Sequence, residues 1–382
     1  MRVLLVCEPG FYGVIMYVRN LVRHLHRAHP GIAVDLAYSS RRDSPTLYEL
    51  LPMIQSRGGK TIDLRIGNSP EPRDLAALFR IGALVREGRY DLVHAHSSKA
   101  GALVRMQALL PGFPPVLYSP HGYYGMSLRG GRKEKIFNAI EAVFGRIGKT
   151  HNVSKLERRF ALRTLRLNRH SLIFIGTGID LGTFTPVVAG QKFAARCALG
   201  LPESGKLLVT LGREAYEKNF APLYAALNDL LPGSSWNFAH AGVGSDAWRA
   251  SLSPAAQAKV FTYPFLTRPE ELLHAADGFV LTSRTEAFGL AAYEALCCNL
   301  PLVLASTMGL LSLKKLNLPG IQWLPNPAEA GDITAEIREA LAQWAVAPSF
   351  DIAPRRKFIE REIDEFAQFA KLVRVYQHMI DS

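Results

Sequence analysis

The sequence is poor in cysteine and has no long run of apolar residues. Its four cysteines, Cys7, Cys197, Cys297 and Cys298, follow neither a metal-binding spacing nor a paired framework, which favours a reducing, cytoplasmic environment. No apolar stretch approaches the ~20 residues that a transmembrane helix needs. Because Met1 and Arg2 lead directly into an apolar strand candidate, we expect neither a signal peptide nor a membrane span.

Acidic residues are scarce in the first half of the chain. Residues 1–180 contain 27 Lys and Arg against 13 Asp and Glu, a net charge of +14, whereas residues 181–382 contain 18 against 20, a net charge of −2. The first half therefore favours an anionic partner. We expect no nucleic-acid partner, because there is no recognition motif and no cluster of aromatic residues among the basic ones. An anionic membrane surface fits better, since each basic side chain near it gains about 1 kcal/mol.

A length of 382 residues suits two domains of roughly 190 residues each. Short apolar runs alternate with longer amphipathic segments, which predicts doubly wound parallel sheets. The strand candidates of the first half are Val3–Cys7, Ala33–Ser39, Thr61–Ile66, Leu92–His96, Val116–Ser119, Thr150–Val153 and Leu172–Ile175. Those of the second half are Leu207–Leu211, Trp236–Ala241, Val260–Tyr263, Gly278–Leu281, Leu302–Ala305 and Ile321–Leu324. Ligands of such sheets bind outside the carboxyl ends of the strands, so we expect function in the turns that follow them.

The turn and helix start at residues 282–295 form the strongest site candidate. A helix N-terminus offers unpaired backbone amides to a phosphate, here those of Phe288, Gly289 and Leu290. Glu286 lies on the turn, and Glu294 lies about one helical turn later with its side chain leaning back toward the turn. Two carboxylates beside a phosphate suit the hydroxyls of a sugar and a ribose. The alternative is that these glutamates only favour the helix dipole or face water.

The second half opens with two cations that follow the strand candidate Leu207–Leu211. Arg213 and Lys218 lie in the loop before the next helix, where their side chains could hold a diphosphate. The alternative is surface ion pairing with Glu214 and Glu217.

The turns of the first half give weaker signals. Gly10 and Gly13 let the backbone approach a ligand, but their spacing is not the dinucleotide-binding fingerprint. His94 and His96 lie on one face of a strand, and without a third ligand we expect them to pack or to form hydrogen bonds. His121 follows a strand and precedes a glycine, so it either serves a site or bonds to the backbone.

A basic block at residues 129–169 contains 12 Lys and Arg and three acids. Inside it, apolar residues recur at helical spacing: Ile136, Phe137, Ile140, Val143, Phe144 and Ile147. Basic residues flank them: Arg132, Lys133, Lys135, Arg146 and Lys149. This pattern predicts an amphipathic helix that lies on an anionic membrane or packs its apolar stripe on the sheet. We favour packing of the stripe, with the basic flanks left to face lipid.

The order of these motifs resembles the GT-B glycosyltransferases of family 4, which include bacterial enzymes of surface polysaccharide synthesis. The residues that carry the resemblance are the Gly-rich first turn, His121-Gly122, Asn152-Val153-Ser154, Gly178-Ile179-Asp180, Gly212-Arg213 with Lys218, Gly242 with Gly244, and Glu286 with Glu294. The two glutamates eight residues apart, with Phe-Gly-Leu between them, are the most specific element.

The resemblance implies an α/β fold of two Rossmann-like domains facing across a cleft. Residues 1–182 would form the acceptor- and membrane-facing domain, and residues 183–355 the nucleotide-sugar-binding domain. Residues 356–382 would form a helix that crosses back toward the N-terminal domain; their apolar spacing predicts a long helix or a kinked pair.

The resemblance also assigns residues. Arg213 and Lys218 match the diphosphate-binding pair, Glu286 the carboxylate on the donor sugar, Glu294 the carboxylate on the ribose, and His121 the donor-sugar histidine. The residues implied in catalysis are His121, Arg213, Lys218 and Glu286. Those implied in donor binding are Gly13, Gly212, Gly242, Phe288, Gly289, Leu290 and Glu294. Three departures from the family pattern are Tyr12-Gly13 for a double glycine, Asn219 for glycine after the lysine, and Thr177-Gly178 for Asn-Gly.

The function implied is transfer of a sugar, with retention of configuration and without a metal or cofactor, from a UDP- or GDP-sugar to a saccharide acceptor. A lipid-linked acceptor on polyprenyl diphosphate would place the protein on the cytoplasmic face of the membrane as a peripheral protein. The alternatives are a sugar-nucleotide epimerase or phosphorylase of the same fold, and a non-catalytic nucleotide-sugar-binding subunit.

Overall fold

A computed structural model describes residues 1–10, 12–67, 70–127, 130–344 and 350–382 of the chain. Phe11 of the first turn and Arg129 of the basic block lie outside the described residues. The chain divides into two units. Unit 1 comprises Met1–Thr177 and Phe366–Ser382, and unit 2 comprises Gly178–Glu365.

The sheet of unit 1 has seven parallel strands in the order β3-β2-β1-β4-β5-β6-β7. Its strands are β1 Arg2–Cys7, β2 Ala33–Tyr38, β3 Thr61–Asp63, β4 Leu92–His96, β5 Val116–Ser119, β6 Lys149–Asn152 and β7 Leu172–Phe174. Its helices are α1 Tyr12–Ala28, α2 Pro45–Gln55, α3 Arg73–Gly88, α4 Ser98–Gln107, α5 Gly131–Phe144 and α6 Lys155–Arg163. This strand order is that of a Rossmann-like, doubly wound sheet.

The sheet of unit 2 repeats this plan with six parallel strands in the order β10-β9-β8-β11-β12-β13. The strands are β8 Lys206–Leu211, β9 Trp236–Ala241, β10 Val260–Tyr263, β11 Gly278–Leu281, β12 Leu302–Ala305 and β13 Ile321–Leu324. The helices are α7 Ala189–Ala198, α8 Phe220–Leu230, α9 Ser245–Ala250, α10 Pro254–Gln257, α11 Pro269–Ala275, α12 Leu290–Cys297, α13 Leu311–Lys314, α14 Pro327–Ala330, α15 Thr334–Trp344 and α16 Ala353–Glu362. A last helix, α17 Glu365–Asp381, lies almost entirely in unit 1.

Alternation along β1 shows why each sheet is covered on both faces. Val3, Leu5 and Cys7 point into one cluster with α1, α2 and α17, and Leu4 and Val6 point into the other with α3 and α4. All five side chains are at most 1% exposed. Such double-sided burial is what near-continuous apolar strands predict, and each fully buried side chain contributes roughly 1.5–3 kcal/mol.

The predicted strands are confirmed within one or two residues, except β3, which ends at Asp63 rather than at Ile66. Asp63 Oδ1 accepts hydrogen bonds from the backbone amides of Ser40, at 3.0 Å, and Arg65, at 2.9 Å. Arg65 is left-handed with a φ of 52°. A side-chain turn thus ends the strand before its apolar run is used up.

Buried Arg105 attaches α5 to α4 in unit 1. Its Nη2 lies 2.9 Å from Oε2 of Glu141 on α5, and its guanidinium lies 4.0 Å above the ring of Tyr118. The Tyr118 hydroxyl donates to the other Glu141 oxygen at 2.7 Å. Because both charges are at most 5% exposed and partnered, this cluster sets which face of α5 points inward.

Candidate functional site

Two turns meet at the carboxyl edge of the unit 2 sheet, where β8 and β11 are neighbours. One follows β8 and ends at Asn219, and the other follows β11 and ends at Gly289. Asn219 Nδ2 donates to the carbonyl of Thr282 at 3.2 Å, and Thr282 Oγ1 donates to the carbonyl of Asn219 at 3.0 Å. These reciprocal bonds hold the two turns in register.

Lys218 and Glu286 form an ion pair across these turns. Lys218 Nζ lies 2.8 Å from Glu286 Oε1, and Ser283 Oγ donates to the same oxygen at 2.6 Å. The Lys218 and Glu286 side chains are 23% and 11% exposed, so the pair is only partly shielded from water and can be reached by a ligand. Lys218 therefore pairs with Glu286 rather than with Glu214 or Glu217, which were the alternative partners.

Helix α12 begins at Leu290, directly after this turn, and no side chain caps it. Gly289 is its N-cap residue, with a φ of 89°, and a Cβ there would lie 2.6 Å from Leu310 Cδ2. Gly289 is thus required by both its left-handed backbone and its packing. Phe288 stacks on Tyr293, with ring centroids 4.3 Å apart and planes inclined by 14°. The helix start is therefore packed against its surroundings, while no side chain caps it.

Glu294 lies one turn into α12, near the same ion pair. Burial and, to a smaller extent, the nearby Glu270 carboxylate raise the pKa of its carboxyl to about 7, against the lowering effect of Lys218. The charge of Lys218 thus acts on both glutamates of the motif. At neutral pH the protonated and ionised forms of Glu294 coexist, and a ligand hydroxyl that donates to this carboxylate favours the ionised form.

Gly212 and Gly242 pack against each other at the ends of β8 and β9. A Cβ on Gly242 would lie 2.0 Å from the Gly212 carbonyl oxygen, so Gly242 serves this contact between two turns. His240 Nε2 lies 2.7 Å from the same carbonyl, and Tyr224 OH lies 2.9 Å from His240 Nδ1. Since a carbonyl only accepts, His240 donates through Nε2 and accepts from Tyr224. Sequence reasoning missed His240, because it lies within strand β9 and not in one of the turns that follow the strands.

Arg213 and Asn219 complete the turn after β8. Arg213 is exposed, and its Nη1 donates to the carbonyl of Glu214 at 3.2 Å. Asn219 adopts left-handed φ and ψ of 54° and 50°. Asparagine tolerates this conformation better than other non-glycine residues, which explains how it can stand where the family has glycine.

His121 lies at the carboxyl edge of the unit 1 sheet, directly after β5. Its backbone is left-handed with a φ of 54°, and its side chain is partly buried. Its Nε2 lies 3.0 Å from Nδ1 of His96, at the end of β4, and Tyr17 packs edge-on against its ring at 4.8 Å. Burial and, to a smaller extent, the nearby His151 lower the pKa of His121 to about 3, so the ring is neutral at physiological pH.

His94 belongs to a second, fully internal chain of hydrogen bonds. Its Nδ1 lies 2.6 Å from Tyr376 OH on α17 and its Nε2 lies 2.9 Å from Ser119 Oγ, which lies 2.9 Å from His151 Nδ1. The prediction that His94 and His96 form hydrogen bonds is confirmed. Among the described residues, no group of three or more His, Cys, Asp or Glu could hold a metal ion.

The end of β6 and the start of α6 form hydrogen bonds with the loop that carries His121. Asn152 Nδ2 donates to Tyr123 OH at 3.1 Å, and Glu157 Oε2 accepts from the backbone amide of Val153 at 2.8 Å. The amide of Gly122 also donates to Glu157, whose pKa burial raises to about 8. The motif from Asn152 to Ser154 thus supports the histidine loop.

The first turn differs from its prediction. A Cβ on Gly10 would lie 1.5 Å from the carbonyl oxygen of Arg42, so the space beside Gly10 is filled by the chain itself and not by a ligand. Helix α1 begins at Tyr12, which places Gly13 in its first turn.

Comparisons with known proteins cover nearly the whole chain. The family described as Glycosyltransferase Family 4 matches residues 11–183, and the family described as Glycosyl transferases group 1 matches residues 191–361.

Two similar curated relatives are bacterial enzymes. The UDP-Gal:alpha-D-GlcNAc-diphosphoundecaprenol alpha-1,3-galactosyltransferase of Escherichia coli is 26% identical over 261 residues, which cover 65% of this chain and 66% of that enzyme, just under two thirds. The D-inositol 3-phosphate glycosyltransferase of Geodermatophilus obscurus is 29% identical over 376 residues, which cover 87% of this chain and 78% of that enzyme.

Solved structures share the fold. Sucrose-phosphate synthase from Thermosynechococcus elongatus is 18% identical with a TM-score of 0.76, and the match covers 100% of this chain and 99% of that one. Anabaena HepE in complex with UDP and glucose is 15% identical with a TM-score of 0.76, covering 99% and 100% of the two chains. The lipopolysaccharide glycosyltransferase WaaG is 14% identical with a TM-score of 0.74, covering 98% and 99%.

Proposed function

The chain belongs to the GT-B glycosyltransferases of family 4, and from that premise we propose that it moves a sugar from a UDP- or GDP-sugar to a saccharide carried on polyprenyl diphosphate. Such a reaction would serve surface polysaccharide or other glycan synthesis. The observation that carries the proposal is the Lys218–Glu286 pair beside the uncapped start of α12. It puts a cation, a carboxylate and backbone amides at one strand edge, as a sugar diphosphate requires.

The proposed chemistry assigns a separate task to each group. Cleavage of the bond between the sugar and the diphosphate builds negative charge on the leaving phosphate, which Lys218, Arg213 and the first amides of α12 would stabilise without a metal ion. Glu286, held by Lys218 and Ser283, would accept hydrogen bonds from donor-sugar hydroxyls, with His121 as a further sugar contact.

Retention of configuration is proposed to follow from attack on the same face of the sugar. The acceptor hydroxyl forms its bond to the anomeric carbon as the bond to the diphosphate oxygen breaks, and the hydroxyl proton passes to the leaving phosphate. Lys218 and Ser283 both donate to Glu286 Oε1, which holds the carboxylate in place. An ionised carboxylate only accepts hydrogen bonds, as a contact to sugar hydroxyls requires.

Relatives support this class of substrates. The name of the Escherichia coli relative specifies a UDP-galactose donor and an acceptor on diphosphoundecaprenol. Structures of Anabaena HepE contain UDP with glucose, or UDP-glucose. A nucleotide-sugar donor and a lipid-linked acceptor are therefore the classes to test.

Donor binding is the first prediction. We expect one UDP- or GDP-sugar to raise the melting temperature by several degrees at about 100 times its Kd, because a ligand that binds only the folded state adds about 2.7 kcal/mol of stability. The measurement is a thermal-shift screen, with the matching free sugars as controls, followed by transfer to a polyprenyl-diphosphate-linked saccharide. No shift with any nucleotide sugar would contradict the proposal, and conversion of the donor without an acceptor would indicate an epimerase.

Helix α5 has an exposed face that suits a membrane. Ile136, Ile140 and Val143 are 58%, 36% and 64% exposed and recur at spacings of four and three residues, so they share one face. We call these three residues the α5 apolar face. The expectation that the whole stripe packs on the sheet is therefore wrong. Glu141, bonded to Arg105, lies on the opposite side of the helix and turns that side inward.

Charge favours an anionic lipid surface as the partner of this face. The exposed charged residues of α5 and the turn after it are all basic: Arg132, Lys133, Lys135 and Arg146. Glu134 is partly buried and accepts a hydrogen bond from the amide of Gly130. In the described part of the chain no helix combines the length and hydropathy needed to cross a bilayer. We therefore propose peripheral binding at the cytoplasmic leaflet, where apolar insertion and basic attraction add.

Membrane binding is the second prediction. We expect the double variant Ile136→Glu, Val143→Glu to lower binding to vesicles containing anionic lipid at least tenfold, since it removes apolar area and adds charge that the lipid repels (about 1 kcal/mol per charge). Binding is measured by co-sedimentation at low and high salt, because salt screens the basic contribution. The matched control is Val188→Glu, Phe193→Glu, which changes two exposed apolar residues of unit 2. Equal binding by both variants and the wild type would contradict the assignment of α5.

A further inference from the structure

His96 is buried at the end of β4, where it shares a hydrogen bond with His121. The distance from His96 Nδ1 to His121 Nε2 is 3.0 Å. The two ring planes are inclined by only 23°, and the centroids lie 5.3 Å apart. Rings that are nearly coplanar and joined edge to edge form an in-plane N–H···N hydrogen bond. One of the two nitrogens must therefore donate and the other accept.

The surroundings of His96 decide which nitrogen donates. His96 is fully buried, and within the described residues its Nε2 atom has no hydrogen-bond partner. The rings of His94 and Tyr17 pack beside it, at centroid distances of 4.0 and 5.8 Å. Buried N–H groups without an acceptor are rare in proteins, whereas acceptors without a donor are less so. The proton of His96 therefore belongs on Nδ1, and Nε2 is the bare nitrogen.

We propose that His96 is a positioning residue: its Nδ1–H donates to Nε2 of His121 and so holds His121 in the tautomer that presents Nδ1–H to a ligand. The inference rests on the proposed function, in which His121 meets the donor sugar. Nδ1–H of His121 then donates to an acceptor, such as a sugar hydroxyl oxygen, and cannot accept from it. Burial lowers the pKa of both histidines, which keeps the pair neutral and its single hydrogen bond directional.

Two substitutions with the same branching separate the hydrogen bond from packing. Asparagine and leucine have the same branching and the same number of side-chain non-hydrogen atoms, but the amide of asparagine can place an N–H near the position of His96 Nδ1 and leucine cannot. We expect His96→Asn to keep kcat/KM for sugar transfer within about threefold, and His96→Leu to lower it about tenfold, the upper range for one lost hydrogen bond. The affinity for the free nucleoside diphosphate, which lacks the sugar, is expected to stay unchanged in both variants.

The protonation of the rings is read directly by nitrogen-15 NMR of protein labelled at histidine. The His121 signals are assigned by their loss in His121→Asn. We expect protonated Nδ1 and bare Nε2 at His121 in the wild type and in His96→Asn, and a mixture of tautomers in His96→Leu. A proton on His121 Nε2 in the wild type would overturn the inference, even if the leucine variant does not fold.

The outcomes separate this inference from the proposed function. If no nucleotide sugar binds, or if His121→Ala transfers sugar as fast as the wild type, the proposed role of His121 fails, while the NMR result still tests the tautomer. If His121→Ala is impaired but His96→Leu matches the wild type in both rate and ring signals, His96 is not the positioning residue.

Discussion

Replacing Lys218 with methionine is expected to lower kcat/KM for sugar transfer at least a hundredfold. The ammonium group lies on the turn after β8, 2.8 Å from Glu286 and beside the start of α12, where the proposed leaving diphosphate gains charge. Removing one preorganised donor at a developing anion typically costs about 10²–10³ in kcat. Methionine replaces the apolar stem of the lysine side chain and lacks only its ammonium group, so the loss of activity reports the charge. The measurement is steady-state transfer with the donor found in the screen.

The matched control is Lys315→Met, which removes an exposed lysine from the same unit. We expect it to transfer sugar at the wild-type rate. Lys218→Met should remain folded, because Ser283 still donates to Glu286 and partly exposed ion pairs contribute only about 1 kcal/mol. Circular dichroism and the melting temperature check this. Transfer by Lys218→Met at a rate within tenfold of the wild type would contradict the proposed role of the Lys218–Glu286 pair, and with it the main support for the proposed function.

Periodicity and apolar runs were sufficient to predict the two sheets. Buried parallel strands such as Gly278–Leu281 read as short continuous apolar runs, and these match the observed strands closely. The exception is β3, where a contact between Asp63 and distant Ser40 ends the strand. Apolar content alone does not encode such a contact. The left-handed backbone of Asn219 likewise does not follow from apolar content or periodicity.

The contacts that join the candidate site were less accessible to sequence reasoning. Lys218 and Glu286 are 68 positions apart, and two possible partners of Lys218 were nearer in sequence. The hydrogen bond between His96 and His121 joins the ends of two neighbouring strands, β4 and β5. Nothing in the sequence around either histidine predicts that the other is its partner. On α5, helical spacing revealed apolar positions on two sides, but only the buried Arg105–Glu141 pair decides which side faces out. Pairing between distant side chains depends on three-dimensional packing, so pattern reasoning leaves it open.

The second large effect is expected at Glu286. Glu286→Gln is nearly isosteric, but the amide offers one acceptor oxygen where the carboxylate offers two, and it carries no charge for Lys218. In the proposed complex that oxygen cannot serve Lys218, Ser283 and a sugar hydroxyl together. We expect kcat to fall at least a hundredfold, by loss of an interaction that strengthens as the sugar becomes electron-poor. The affinity for the free nucleoside diphosphate should change less than threefold.

Glu294→Gln supplies the contrast that makes this result interpretable. A ribose contact is equally strong before and during the reaction. Its loss should therefore raise KM for the donor and lower the affinity for the free nucleoside diphosphate, while kcat changes little. Glu203→Gln, at an exposed carboxylate of unit 2, is the control for loss of charge. If Glu286→Gln lowers the affinity for the nucleotide and leaves kcat unchanged, the sugar and ribose roles of the two glutamates are reversed. A kcat loss confined to Glu286 places this carboxylate at the sugar, because the sugar gains positive charge as the bond to the diphosphate breaks, whereas the charge at the ribose does not change.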